Sequence, residues 1–103
     1  MEVSVVFLNI LKYQDKETKK DKYRFCYVLN DDKAKQENDK FKGLADNSFY
    51  FDNSKLFDTL TKEDSLTSMK LVVENRPSKR NPLKSVMEVT KVITKTHGSI
   101  DLL

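Results

Sequence analysis

Apolar and polar positions alternate with a period of two through much of this chain, the pattern of half-buried strands. The segment Lys22 to Leu29 shows it most cleanly, with Tyr23, Phe25, Tyr27 and Leu29 on one face and Lys22, Arg24, Cys26 and Val28 on the other. Val3 to Tyr13 is rich in β-branched and aromatic residues, and its apolar residues occupy both parities. That predicts a strand covered on both faces, as in a curled sheet or small barrel. The polar run QDKETKKD at 14–21 predicts a solvated turn joining the two as an antiparallel hairpin. No Asn-Gly or Gly-Gly pair fixes its register.

Asn30 to Asn47 has no apolar stripe and reads as an excursion, with Gly43 marking a turn. Ser48 to Phe51 predicts a short aromatic strand. Asp52, Asn53 or Ser54 can cap a short helix whose Leu56, Phe57 and Leu60 share a face. Ser68 to Glu74 and Leu83 to Lys95 alternate as two further strands, and the loop Asn75 to Pro82 between them holds both prolines and every arginine except Arg24. Thr96 to Leu103 is expected to fray or to supply a terminal contact. The order predicts a mainly β chain, one domain over 1–103, folded as a five-stranded OB-like barrel with one short helix between the third and fourth strands. A small α+β sheet or an SH3-like barrel accommodates the same order.

Composition removes several chemistries. One Cys and one His among 103 residues cannot supply three or four zinc ligands, nor a disulfide within one copy. That cysteine usage suits a reducing compartment. Two glycines leave no phosphate-cradling loop. No apolar run reaches membrane-spanning length, and Val3 to Leu11, broken by Ser4 and Asn9, does not read as a signal peptide. A cytoplasmic protein of a host cell, not associated with membrane, is the expectation. His97, alone in a polar terminal stretch, reads as a surface histidine. Cys26, mid-strand, reads as packing, and Asp31/Asp32 and Glu63/Asp64 read as solvated pairs. No enzyme, no metal and no cofactor is expected.

Charge changes the picture more. The net +3 conceals segregation. Lys12 to Lys42 carries ten Lys/Arg against seven Asp/Glu, Gly43 to Met69 two against five, and Lys70 to Lys95 seven against two. Two basic hairpins therefore flank an acidic middle. On the first hairpin, Lys12, Lys20, Lys22 and Arg24 interleave with Tyr13, Tyr23 and Tyr27; on the second lie Arg76, Lys79, Arg80 and Lys84. Cations that engage phosphates, beside rings that stack on unpaired bases, suit single-stranded nucleic acid. Against this, lysine-rich loops are commonly plain solvated surface, and part of the Tyr23–Leu29 row must serve as core.

The run KKDKYRFCYVL at 19–29 and MEVTKVI at 87–93, within this strand layout, resemble small single-stranded DNA-binding proteins of phages and mobile elements, of the filamentous-phage helix-destabilising type. The resemblance implies an OB fold, a homodimer, cooperative coating of single strands and a role in DNA replication or transfer. It maps the hairpin contacts to Lys20, Lys22, Tyr23 and Arg24, with Asp21 standing where such hairpins often carry glycine. The expectation is sequence-independent single-stranded DNA binding by a self-associating chain. A protein-binding module is the competing expectation: a phage inhibitor or adaptor docking on a host protein through Phe49, Tyr50, Phe51 and Phe57. Single-stranded RNA binding through the basic surface is a third.

Overall fold

The computed structural model describes residues 1–78 and 80–103. β1 (Glu2–Gln14) and β2 (Asp21–Leu29) form an antiparallel hairpin in which Tyr13 faces Lys22 and Ile10 faces Phe25. The polar run between them closes tightly, with Asp15 N–H donating to Lys20 O (2.9 Å) and Lys19 taking a left-handed φ of 57°. β2 pairs on its other side with β5 (Asp46–Phe51), and β1 pairs with β6 (Ser68–Pro77). β7 (Ser85–Thr94) and β8 (Gly98–Asp101) complete one antiparallel sheet of order β5-β2-β1-β6-β7-β8.

The expected five-stranded barrel is corrected in three respects. The 30–47 excursion folds into a separate small hairpin of β3 (Lys35–Glu37) and β4 (Lys42–Leu44). The helix α1 (Lys55–Thr59) therefore follows the fifth strand instead of the third. The sheet also carries a sixth strand, β8, and does not close into a barrel. Its two edge strands are short, and α1, which directly follows β5, packs against β8 with Leu56 and Leu60 buried in the core.

Two bulges curl the sheet. In β1, Phe7 faces Tyr27 but Asn9 faces Cys26, so Leu8 is the additional residue; in β7, Thr90 is the additional one. The first bulge explains the mixed parity of β1. Val3, Val5 and Phe7 point to the core before it, and Ile10 does so after it. The inner face of β1, β2 and β5 is an aromatic layer, with ring centroids 5.0 Å apart for Phe7–Phe25, 5.0 Å for Phe25–Phe49 and 5.5 Å for Tyr23–Phe51. Such pairs contribute about 0.5–1.5 kcal/mol each beyond their burial. Met69, Leu71, Val92, Ile100 and Leu102 extend the core across the other strands.

The C-terminal segment is tied down. Asp64, buried, accepts from Thr61 N–H at 2.9 Å and lies 3.2 Å from His97 Nε2 through both oxygens. The Glu63/Asp64 pair is thus not a solvated one: Asp64 caps a 3-10 turn over Lys62–Asp64, and only Glu63 faces solvent. His97 remains at the surface but links the β7–β8 turn to that cap.

β6 and β7 outrun the sheet. β1 pairs with β6 only as far as Val72, so the stretch Glu74–Pro77 and its partners Ser85–Glu88 project as a two-stranded arm. At the arm's turn, Ser78 N–H donates to Lys84 O at 2.8 Å, and Asn81 Oδ1 accepts from Leu83 N–H at 3.2 Å.

Candidate nucleic-acid interface

Because directly paired residues share a face, the strand register determines which side chains meet. On the outer face, Leu11, Arg24 and Tyr50 form one row across β1, β2 and β5, and Tyr13 and Lys22 form the next. The rings of Tyr13 and Tyr50 meet edge to face at 6.1 Å and 86°. Tyr50 is 63% exposed and Leu11 49%. Arg24 lies between these two, half-buried, and its Nε is buried without a hydrogen-bond partner among the described residues.

The second row opens onto a cleft of about 380 Å³. One wall is Tyr13, Lys22, Tyr50 and Asp52; the other includes Glu88 and Val89 of β7. Lys22 Nζ lies 3.7 Å from Asp15 and 3.8 Å from Asp52. Glu88 approaches Arg76 Nε at 3.7 Å, which ties the base of the arm to the cleft. The Asp15 carboxyl is held below the usual aspartate range, chiefly because it accepts from the Glu17 backbone N–H, with Thr18 N–H and the Lys22 ammonium adding to the effect.

The remaining expected contacts fall elsewhere. Lys20 is exposed in the β1–β2 turn. Lys12 pairs with Tyr23 across the hairpin, so it faces away from Tyr13, and its ammonium lies 3.5 Å from Asp21. Arg80 and Lys84 are exposed at the end of the arm. Lys79 lies outside the described residues. Among the described residues, neither Arg80 nor Lys84 has a carboxylate within ion-pair distance.

Two base-stacking assignments are corrected. Tyr23 is 4% exposed, its ring 5.5 Å from Phe51 and 5.4 Å from Phe57, so it is core. Tyr27 shares that inner face, packs on Phe25 and Phe49, and burial pushes its hydroxyl pKa up. The parity that placed both with Phe25 is decisive. The same rule, applied to SFYF, separates Tyr50 from Phe49 and Phe51 and would have found the exposed ring. Of the aromatic residues expected to form a protein-docking surface, Phe51 is buried, Phe49 and Phe57 are partly buried against the core, and Tyr50 is exposed.

Cys26 is buried on the outer side of β2, and its thiol pKa is raised by burial and by the adjacent Asp46 carboxylate, 3.4 Å from Sγ. A nucleophile needs the opposite environment. Among the described residues, no three His, Cys, Asp or Glu side chains are grouped to hold a metal ion, and no helix is long and apolar enough to cross a membrane. No protein-family model, curated protein or solved structure matches the chain.

Proposed function

We propose that this chain binds single-stranded DNA without sequence preference, in phage or mobile-element replication within a host cytoplasm. The observation that carries the reading is the outer-face cluster of Tyr13, Tyr50 and Arg24, with Lys22 beside it and the basic arm joined to the same cleft through Glu88. Exposed rings give bases a platform that every base can use, and the cations supply phosphate contacts.

The strand order supports an OB-type reading. Without β3, β4 and β8, the remaining five strands in chain order stand third, second, first, fourth, fifth across the sheet. That is the arrangement of such a barrel opened between its third and fifth strands. Barrels of this type bind oligonucleotides on the face of strands two and three and on the loops joining one to two and four to five. Here those are the β2–β5 face, the 15–20 turn and the arm. A chain this small covers few nucleotides, so coating a strand requires self-association, for which a homodimer is the default closed form.

Titration of a fluorescent oligo-dT at two salt concentrations tests this. Binding should weaken steeply with salt. Tyr50→Ala should weaken it about 5- to 150-fold, from about 1–3 kcal/mol per stacked base. No binding at low salt, or affinity indifferent to salt, overturns the reading. A protein partner is the second reading, favoured by Leu83, Val86 and Met87, all exposed on the arm. It predicts that charge reversal at Arg80 and Lys84 leaves function intact.

A further inference from the structure

Two cations, one lining the cleft and one beside it, are already paired. Lys22 lies between Asp15 and Asp52, and Arg76 lies against Glu88. Asp15 also has a structural role, because its carboxylate accepts from Glu17 N–H at 2.9 Å and so shapes the β1–β2 turn. Asp52 and Glu88 lack any such role. Among the described residues the ion pairs with Lys22 and Arg76 are the polar contacts of these two carboxylates, and both residues line the cleft that holds Tyr13 and Tyr50. Glu88 moreover stands directly opposite Glu74 across β6 and β7, an unfavourable like-charge pair. The fold therefore gains little from either carboxylate, and the cleft holds two anions where a strand's phosphates would have to lie.

We infer that Asp52 and Glu88 are built-in competitors for the phosphate backbone, so that a strand enters the cleft only by displacing them from Lys22 and Arg76. The inference rests on the strand-binding reading and deepens it. The ion pairs are suited to exchange. Their atoms are 3.7–3.8 Å apart, and Asp52 is well exposed, so each contributes little to the resting state and releases its cation readily. A phosphate that enters gains the cation but leaves a carboxylate to be solvated, which lowers both the affinity and its dependence on salt. The same arrangement favours ligands that offset this loss by stacking on Tyr13 and Tyr50. A duplex, whose bases are already stacked, lacks that compensation.

Asp52→Asn and Glu88→Gln remove the competitors while keeping side-chain shape. Asp58→Asn, on the exposed side of α1 away from the cleft, makes the same change in net charge and serves as the control. With oligo-dT followed by anisotropy at several salt concentrations, each cleft variant should bind about two- to five-fold tighter at low salt and show a steeper salt dependence. Asp58→Asn should remain close to the parent chain. Equal tightening by all three variants would overturn the inference, since net charge alone would then be responsible. A parent chain that binds, with cleft variants that bind no tighter, would overturn it and leave the strand-binding reading intact. Absence of binding by the parent and both cleft variants would remove both.

Discussion

Asp64 and Glu63 are neighbours of the same type with opposite fates. Glu63 faces solvent, while Asp64 gathers the Thr61 N–H, the Thr96 hydroxyl and His97 Nε2 around one buried carboxylate. The Thr61 N–H, first, and the His97 and Thr96 contacts hold its pKa below the usual value of 3.8 against the opposing effect of burial. A carboxyl with a lowered folded-state pKa adds stability that is complete above the unfolded value and is lost as pH falls through the folded one. Asp64→Ala should therefore cost about 1–3 kcal/mol at neutral pH, measured by urea denaturation. The gap between variant and parent should narrow as pH drops below 3.8; a constant gap would show that the carboxylate's charge is not what matters. None of this could be read from the sequence, because residues 64 and 97 meet only through the sheet. The same holds for the carboxylates paired with Lys22 and Arg76. Tyr50, in contrast, was legible: its parity within SFYF already set it apart from the two phenylalanines.

At the scale of the element, the one-residue bulge at Leu8 decides which rings face out. It shifts the phase of β1 so that Ile10 reaches the core while Leu11 and Tyr13 turn outward beside Arg24 and Tyr50. The two tyrosines beside the turn of the first hairpin should consequently separate under mutation. Tyr23→Leu should lower stability by about 2 kcal/mol and leave oligo-dT affinity unchanged below the melting temperature. Tyr13→Ala should cost about 1 kcal/mol of stability, the worth of its edge-to-face contact, and weaken binding. Thermal melts and titrations of both variants check this, and equal binding loss would contradict the assignment of faces. The four long strands and the short SFYF strand were legible because their alternation reflects one solvated and one packed face. β3, β4 and β8 were not. Each has three or four residues, too few to display a period, and the first two are fully exposed.

For the whole molecule, sequence arithmetic located the two basic hairpins but not their relation. β5 and β7 come to face each other across a cleft only because the sheet curls and α1 packs against β8. Barrel closure was equally beyond the sequence, since it depends on whether two distant edges meet. The arm's freedom has a consequence that can be followed in time. Leu83 is 96% exposed, and among the described residues the arm stretches Glu74–Pro77 and Ser85–Glu88 pair only with each other. A two-stranded ribbon of this kind is marginally stable alone, so its amides should exchange with deuterium far sooner than those of Val5, Phe25 or Val92, which open only with the core. Trypsin should likewise cut first at Arg80 or Lys84, leaving the curled sheet as the resistant fragment. A bound oligonucleotide should slow both reactions at the arm and leave the core rates alone, so a stopwatch can record occupancy where no spectroscopic change marks it.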